Sequence, residues 1–262
     1  MHFATLFTTA FAALAAAQAP GYNATFSTVP ANSTFSFGQR KSSLPFLPQL
    51  KTPLSVLTLF RADYAVLNLD MINAFVSSLN TTQSGRSFIA SNTKWINSVH
   101  QQTPSPLQIF TRIYFTTAQR PEISATTPFT QVVAGLGNIT ASSPAGQIYP
   151  AFHHSAKNDV VLQKTRYYAG AGNALEEILA SQGIDTVVLS GIRTSGVIVS
   201  TAYRLFDLNY KVYVISGNVI ETPPEGDLVN DGVLTAISKL PASIITLDQA
   251  IEALGRSGPA VY

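Results

Sequence analysis

The sequence predicts an α/β protein, a three-layer α/β/α sandwich around a mostly parallel, Rossmann-like sheet. Six short runs along the chain are apolar on both faces, which is typical of parallel strands covered by helices on each side. Segments with helical spacing of apolar residues separate these runs, and this alternation implies right-handed βαβ crossovers. Apolar residues make up 46% of the 262 residues and charged residues only 11%. Such a balance lets most of the chain bury a core.

The strands are predicted from apolar, mostly β-branched or aromatic runs that are bounded by turn residues. The second run follows Pro104 and Pro106, and the fourth and fifth each run into a Ser-Gly pair. In chain order the predicted strands are Tyr64–Leu69, Leu107–Phe115, Val160–Leu162, Thr186–Leu189, Lys211–Ile215 and Ser243–Thr246.

The helices are predicted from the segments between these strands. Residues that end helices lie close to the ends of several segments, among them Gly183, Pro241 and Gly255, because glycine and proline interrupt helical backbone. The predicted helices are Trp95–Gln101, Ala174–Ser181, Ser195–Leu208, Asp231–Lys239 and Leu247–Leu254.

The chain is predicted to have three parts. Residues 1–17 contain an apolar run that ends in small residues and is short for a bilayer span, which favours a cleaved signal peptide over a buried or disordered N-terminal helix. Residues 18–60 are rich in Ser, Pro, Asn and Phe, and we interpret them as an extended arm, laid over the domain or partly disordered. Between Ala62 and Gly255 the sequence shows no repeat and no Pro/Gly linker, so we expect one domain at residues 61–262.

The predicted signal peptide and the amino-acid composition limit the classes of function that the protein can have. A signal peptide predicts a secreted, extracellular protein, and four Asn-x-Ser/Thr sites fit glycosylation on that route. The chain has no cysteine and a net charge of +2. Disulfides and thiol chemistry are therefore excluded, and neither a nucleic-acid partner nor a membrane partner is indicated. The four predicted glycosylation sites are Asn23, Asn32, Asn80 and Asn138.

Several familiar motifs are absent or incomplete. The pair of glycines at Gly170 and Gly172 lacks the third glycine of a dinucleotide fingerprint. No Gly-x-Ser-x-Gly elbow of a serine hydrolase occurs. His153 and His154 are adjacent, which does not place both on one face as metal ligands. We therefore expect neither a cofactor nor a metal.

Ligands of parallel α/β sheets bind beyond the carboxyl ends of the strands, and polar residues stand at several of these ends. Asp70 follows the first strand and Lys164 the third, whereas Arg112 lies near the end of the second. Taken singly, Asp70 could instead cap the next helix and Lys164 could be a solvated loop residue. The turn from Gly191 to Ser195 leads into a helix start, where free amides favour negative charge, although an ordinary N-cap by Thr194 or Ser195 gives the same pattern.

Taken together, these elements resemble the isochorismatase-like family of cysteine hydrolases, over roughly residues 62–246. Residues 70–75 read Asp-Met-Ile-Asn-Ala-Phe and keep four residues of the family's Asp-Met-Gln-Asn-Asp-Phe motif. Residues 164–166 read Lys-Thr-Arg and match the second motif, although the aromatic residue that follows in the family is Gly170 here. Residues 191–201 match most of the third motif, Gly-Val-x-Thr-x-x-Cys-Val-x-x-Thr.

The departure at the third motif decides which chemistry the resemblance allows. Val197 stands at the position of the family's nucleophilic cysteine. Amidases of the family form a thioester through that thiol, which valine cannot do. The zinc ligands of the family's nicotinamidases also have no evident counterpart after Phe75. The resemblance then implies the branch that lacks the thiol, isochorismatase proper, which cleaves a vinyl ether without a protein nucleophile.

The roles that this branch implies can be placed on the sequence. Asp70 would protonate the enol carbon, and Lys164 would orient Asp70 or hold the substrate. The amides of Gly196 and Val197 would accept developing charge. Because isochorismate carries two carboxylates, the substrate is expected to be a small anion that needs cationic contacts. The cationic contacts are assigned to Arg193, Arg112 and Arg166. Phe75 is assigned as a further residue that contacts the substrate.

Two other functions remain open at the level of sequence. One is hydrolysis of a different small substrate by water that Asp70 activates. The other is a catalytically silent protein that binds a small molecule, which the lost cysteine and the lost aromatic residue favour. Because family members often self-associate, the resemblance also leaves a homo-oligomer open.

Overall fold

The structure, a computed structural model, describes residues 64–222 and 226–257. The predicted signal peptide at 1–17, the arm at 18–60, the first three residues of the predicted domain and the sites Asn23 and Asn32 lie outside the described residues. Within the described residues, no helix is both long enough and apolar enough to cross a bilayer.

The sheet in the described part of the chain has six strands, and every neighbouring pair is parallel. The strand order is β3-β2-β1-β4-β5-β6. The order reverses between β1 and β4, as in the Rossmann arrangement, and a crevice opens at such a point beyond the strand ends. The strands are β1 Tyr64–Leu69, β2 Leu107–Ile113, β3 Val160–Lys164, β4 Thr186–Ile192, β5 Lys211–Ile220 and β6 Ser243–Ile245.

Helices connect the strands and cover both faces of the sheet. Three short 3₁₀ turns, at Ala134–Leu136, Pro144–Gly146 and Pro150–Phe152, lie in the long connection between β2 and β3. A π-helical turn, Thr194–Ile198, precedes the fifth α-helix. The α-helices of the described residues are α1 Asn73–Leu79, α2 Gln83–His100, α3 Pro128–Val132, α4 Leu175–Ser181, α5 Val199–Asp207, α6 Gly226–Ile237 and α7 Leu247–Ser257.

The alternation of side chains along the central strand explains the two cores. Tyr64 and Val66 of β1 pack with residues of α1, α2 and α7, where Trp95 is fully buried. Ala65 and Leu67 point to the other face and pack with residues of α4, α5 and α6. Because successive residues of a strand face opposite sides, a strand that is apolar throughout needs helices on both faces. The predicted three-layer α/β/α fold is confirmed.

The structure extends several predicted elements. β5 runs on to Ile220, beyond the Ser-Gly pair at which the apolar pattern stops. Most of α2 and all of α1 were not predicted, because much of their sequence is polar. The start of α2 nevertheless has a local signal, since the Thr82 hydroxyl accepts a hydrogen bond from the Gly85 amide at 3.0 Å.

The close approach of β1 and β4 depends on a glycine at their carboxyl ends. Gly191 has φ 137°, and a Cβ atom built on it would lie 2.1 Å from the carbonyl oxygen of Leu69. Any larger residue would push the two strands apart at this point. The segments that follow β1 and β4 therefore begin side by side, which places Asp70 near the turn that carries Val197.

Candidate active site

A pocket lies beyond the carboxyl ends of β1, β3 and β4. Together with its open mouth it encloses about 490 Å³. The lining residues are Asp70, Phe75, Ile113, Phe129, Val132, Val133, Leu136, Lys164, Arg166, Tyr167, Ile192, Arg193, Val197 and Thr222.

A buried ion pair lies at the floor of this pocket. The Nζ atom of Lys164 is 2.6 Å from Oδ2 of Asp70, and the two residues are only 2% and 5% exposed. Thr111 on β2 donates its hydroxyl to the other carboxylate oxygen of Asp70 at 2.7 Å. Asp70 adopts φ 57°, a left-handed conformation that Asp and Asn tolerate better than most residues. Both oxygens of the carboxylate are thus held in place.

The ammonium of Lys164 is fully engaged within the protein. Besides Asp70, it donates to the carbonyl oxygens of Arg166 at 2.7 Å and Tyr167 at 3.0 Å. An ammonium has three N–H donors, so none is left for a substrate. Burial lowers the pKa of Lys164, while the charge and hydrogen bond of Asp70 act in the opposite direction. In this geometry the ammonium of Lys164 holds the carboxylate of Asp70 and two backbone carbonyl oxygens.

The walls of the pocket are mainly apolar. Val197 is 1% exposed and lies on the π-helical turn, next to the floor. Phe129 of α3 and Val133, which lies between α3 and the following 3₁₀ turn, pack with Ile113 in a small apolar cluster. The ring of Tyr167 stands edge-on to that of Phe129, with 5.5 Å between their centroids. A ligand of this pocket therefore meets hydrocarbon on most sides and charge at the floor and rim.

Two backbone amides of the π-helical turn already donate hydrogen bonds to other groups of the protein. The amide of Ser195 donates to Oε2 of Glu221 at 2.8 Å, and the amide of Gly196 donates to the carbonyl oxygen of Arg193 at 3.1 Å. The ring of Tyr167 packs against Gly196, where a Cβ atom would lie 2.6 Å from it. The amide of Gly196 is therefore already bonded in this structure and is not free for an oxyanion.

Two arginines stand at the rim. The guanidinium of Arg193 is 47% exposed, and its Nε atom lies 3.3 Å from Oε1 of Glu221. Arg166 lies over the ring of Phe129 at 5.2 Å from the centroid, and it donates to the carbonyl oxygen of Glu122 at 2.9 Å. Positive charge is thus present at the mouth, close to acidic residues.

Comparison with known proteins identifies the family of this fold and site. A family profile described as an isochorismatase domain matches residues 64–243. The chain belongs to the isochorismatase family. Members of this family are hydrolases. None of the curated proteins compared with the chain is similar enough to count as a relative.

Solved structures of isochorismatase-like proteins share the fold. The chain is similar to a cysteine hydrolase from Pseudomonas syringae pv. phaseolicola 1448A, with 16% identity, a TM-score of 0.66 and coverage of 80% of this chain and 99% of that one. An isochorismatase family protein from Burkholderia thailandensis is 24% identical, with a TM-score of 0.61 and coverage of 74% and 97%. N-carbamoylsarcosine amidase from Thermoplasma acidophilum is 20% identical, with a TM-score of 0.56 and coverage of 71% and 96%.

Six of the residues singled out from the sequence line the pocket of this isochorismatase-family chain. Asp70 and Lys164 form its floor, Phe75 and Val197 its walls, and Arg166 and Arg193 its rim. Gly196 lies directly behind Tyr167 instead of lining the pocket.

The structure does not bring Arg112 into the pocket. Its guanidinium donates to the carbonyl oxygens of Gly146 and Ala141, the latter at 2.9 Å, and it lies over the ring of Tyr114. The reason is the alternation of β2, on which Thr111 and Ile113 face the pocket side and Arg112 points the other way. The expectation that Arg112 binds the substrate is therefore corrected.

Sequence reasoning missed two residues that hold side chains of the pocket without lining it, namely Thr111, which bonds to Asp70, and Glu221, which pairs with Arg193. Glu221 is 7% exposed and follows β5, so the rule that selected Asp70 would have selected it had the full length of β5 been recognised. Thr111 lies one residue before Arg112 within a predicted strand, and no motif distinguishes it.

The histidines of the described residues and the predicted glycosylation sites Asn80 and Asn138 do not line this pocket. His100 ends α2 and pairs with Asp159 at 3.0 Å, and the ring of His154 lies edge-on to Phe110. In the part of the chain that the structure describes, no group of His, Cys, Asp or Glu residues could hold a metal ion. Asn80 and Asn138, two of the predicted glycosylation sites, are exposed.

Proposed function

We propose that this isochorismatase-family protein hydrolyses the vinyl ether of a small carboxylic acid such as isochorismate, releasing pyruvate and a dihydrodiol, without a covalent intermediate. The observation that carries the proposal is the buried pair of Asp70 and Lys164, 2.6 Å apart, at the floor of the pocket. By the resemblance in the third motif, Val197 replaces the family's nucleophilic cysteine, and the whole chain contains no cysteine. The acid that remains at the floor is Asp70.

The first step is proton transfer to carbon. Asp70 donates a proton to the terminal carbon of the vinyl ether and leaves an oxocarbenium ion at the carbon bearing the ether oxygen. Lys164 supplies that proton to Asp70, and the lowered pKa of the buried ammonium makes the transfer easier. Lys164 acts through Asp70 because its three donors are engaged by the protein.

Water completes the reaction. It adds to the oxocarbenium carbon and returns one proton to Asp70, from which Lys164 regains it. The neutral hemiketal then collapses with cleavage of the carbon–oxygen bond, its hydroxyl proton passes to the leaving alcohol, and the other product is the keto acid. One water molecule is consumed, and the acid returns to its starting form. The apolar walls limit the number of other water molecules near the cation.

The test is release of pyruvate from isochorismate by the purified chain. Asp70→Asn is the decisive variant, because Asn keeps the shape of the side chain and tolerates the left-handed backbone at this position. We expect it to lose at least about 100-fold in turnover, the usual contribution of a general acid. Asp248→Asn is the control, since Asp248 pairs with Lys94 on the surface. Equal release by the wild type and Asp70→Asn, or release by neither, contradicts the proposal.

A second candidate is favoured by the same ion pair. In the structure the carboxylate of Asp70 is paired with an ammonium, and an ionised carboxylate can act as a base toward water. The protein would then hydrolyse another small substrate through water that Asp70 activates. Turnover of a small ester or amide that depends on Asp70, without pyruvate release from isochorismate, would favour this candidate. Binding without turnover of any of them would instead indicate a silent binding protein.

We further propose that the protein is secreted after removal of residues 1–17. The exposure of Asn80 and Asn138 supports glycosylation on that route. N-terminal sequencing of material from the culture medium should begin near Gln18. An intact Met1 would contradict cleavage.

A further inference from the structure

Three arginines are candidates for binding a carboxylate of the substrate, and their partners within the protein differ. Arg112 lies outside the pocket and bonds to backbone carbonyl oxygens. Arg193 lines the pocket, but its Nε atom lies 3.3 Å from Oε1 of Glu221. Arg166 also lines the pocket, and its partners are of another kind.

The guanidinium of Arg166 bonds to neutral groups of the protein. Its Nη1 atom donates to the carbonyl oxygen of Thr165 at 2.7 Å and lies 3.5 Å from the hydroxyl oxygen of that residue. Its Nη2 atom donates to the carbonyl oxygen of Glu122 at 2.9 Å. None of the ion pairs of the described residues includes Arg166. Because a guanidinium has five N–H donors, the Nε–H group and one N–H of Nη2 stay available to a ligand.

The carboxylate of Glu122 is engaged by other groups. Its Oε1 atom accepts from the amide of Thr116 at 2.6 Å and from the hydroxyl of the same residue. Burial acts to raise the pKa of Glu122, the hydrogen bonds from Thr116 lower it, and the charge of Arg166 lowers it least. Among the lining residues that the structure describes, Arg166 is therefore the cation that no carboxylate neutralises at ion-pair distance.

Two further contacts fix the position of Arg166 relative to the pocket. The guanidinium lies over the ring of Phe129, 5.2 Å from its centroid, and this ring also lines the pocket. The carbonyl oxygen of Arg166 accepts from the ammonium of Lys164 at 2.7 Å, which ties its backbone to the floor. A cation held in this way needs little ordering when an anion binds.

We infer that Arg166, and not Arg193, binds the carboxylate of the substrate, so that the pocket takes small acids with an apolar remainder. The inference rests on the proposed function only in taking this pocket as the substrate site, and it specifies how the substrate is held. The planar fork of a guanidinium matches a carboxylate and forms charge-assisted hydrogen bonds with it. At Arg193 the negative charge of Glu221 opposes the same interaction. That charge stays in place, because the carboxylate accepts from the amides of Ser195 at 2.8 Å and Thr222 at 2.9 Å.

The test compares two probes that have the same ring and nearly the same shape but differ in charge. Benzoate, an anion, and benzamide, its neutral counterpart, are titrated into the purified chain, and binding is followed by ligand-observed NMR. The measured quantity is the Kd of benzamide divided by the Kd of benzoate. In the wild type this ratio should be about ten, since a hydrogen bond between charged groups is worth roughly tenfold in affinity.

Three arginine-to-glutamine variants locate the charge that matters. Arg166→Gln should lower the ratio to about one, because the charge is lost while a polar side chain remains. Arg193→Gln removes an equal charge from the same rim and should lower the ratio no more than about twofold, since Glu221 already offsets that charge. Arg204→Gln is the matched control, because Arg204 pairs with Glu176 outside the pocket, and it should leave the ratio unchanged.

A fourth variant separates charge from geometry. Arg166→Lys keeps the positive charge but loses the fork, so it should give a ratio between those of the wild type and Arg166→Gln. The inference is overturned by a wild type that binds neither probe or does not prefer benzoate, and by an Arg166→Gln variant that keeps the ratio of the wild type. A ratio that falls to about one in Arg193→Gln also overturns it, even if Arg166→Gln fails to fold.

These outcomes do not depend on catalysis. Because binding is measured without turnover, failure to release pyruvate from isochorismate would contradict the proposed reaction and leave this result standing.

Discussion

The ion pair at the floor of the pocket and the ion pair that Arg193 of the rim forms with Glu221 behind it differ in exposure to solvent. At the floor, the side chains of Lys164 and Asp70 are 1% and 6% exposed, and additional hydrogen bonds hold both partners. In the rim pair, Glu221 is equally buried, but its partner Arg193 is 47% exposed. Both side chains of the floor pair are therefore held in place, whereas in the rim pair only Glu221 is.

This difference predicts different roles for the two pairs. Desolvated charges interact strongly with each other and are costly to separate, so the floor pair contributes to folding and to chemistry at once. A pair with one solvated partner contributes little to stability, but its charge still acts on a ligand in the pocket. The floor is thus expected to control turnover and the rim to control which ligand binds.

The largest effect is expected from removing one partner at the floor. Lys164→Met leaves the carboxylate of Asp70 buried without its counter-charge, which should lower the free energy of unfolding by about 3–5 kcal/mol and abolish turnover. Urea denaturation followed by circular dichroism measures the first effect, and an assay of pyruvate release measures the second. The double variant Asp70→Asn with Lys164→Met should recover part of the stability. A single variant as stable as the wild type would mean that the pair is not desolvated in solution.

The same pair should give a pH dependence in which stability and activity move in opposite directions. Because the pKa of Lys164 is lowered in the folded protein, the unfolded chain binds more protons between that pKa and the ordinary value of about 10.4. The free energy of unfolding therefore rises with pH across this window relative to Lys164→Met. Activity falls in the same window, since the ammonium that supplies the proton is lost.

Comparing the wild type with Lys164→Met separates the contribution of Lys164 to the pH dependence of stability from that of other titrating groups. Burial also raises the pKa of Tyr64, which makes stability fall with pH, but the tyrosine is present in both proteins. Urea denaturation at several pH values above 8 gives the difference. A difference that stays flat up to pH 10.4 would show that the lysine titrates normally.

The floor could be predicted from sequence, whereas the rim could only partly be predicted. Asp70 and Lys164 each end a short apolar run, and parallel strands bring such ends to one edge of the sheet. Fold class thus places both residues at one edge of the sheet, and the matches to the family's first and second motifs indicate that they form one site. Glu221 was missed because Ser216 and Gly217 interrupt the apolar pattern of β5, while hydrogen bonding to β4 carries the strand on to Ile220.

The errors at the other elements have the same kind of cause. Arg112 was placed at the site because it is a cation near a strand end, but a shift of one residue along a strand turns a side chain to the opposite face. Helix α1 and most of α2 have many polar residues, so tertiary packing rather than periodicity decides their conformation. Fold class depends on the average pattern of many residues, while a site depends on single positions.

A smaller effect at the floor is expected from Thr111→Val. The hydroxyl of Thr111 donates to Asp70 at 2.7 Å and accepts from the amide of Asp70 at 3.1 Å. Losing a hydrogen bond to a charged group should cost about 2 kcal/mol of stability and lower kcat about tenfold. Thr93→Val is the matched control, because the hydroxyl of Thr93 bonds only to carbonyl oxygens in the described contacts. If kcat is equal in Thr111→Val and Thr93→Val, Thr111 does not contribute to the chemical step.

The smallest effect on stability is expected at the rim, from Gly196→Ala. The new Cβ atom would lie 2.6 Å from the ring of Tyr167, which is exposed and can swing toward solvent. The cost in free energy of unfolding should therefore stay below about 1 kcal/mol, while KM rises because Tyr167 no longer lines the pocket in the same position. Gly232→Ala in α6 is the control, since no atom lies within 4 Å of its added Cβ. It should stabilise the protein by about 0.5–1 kcal/mol with unchanged kinetics. A fall in kcat with constant KM in Gly196→Ala would mean that the π-helical turn affects turnover, as the floor does, and not substrate binding.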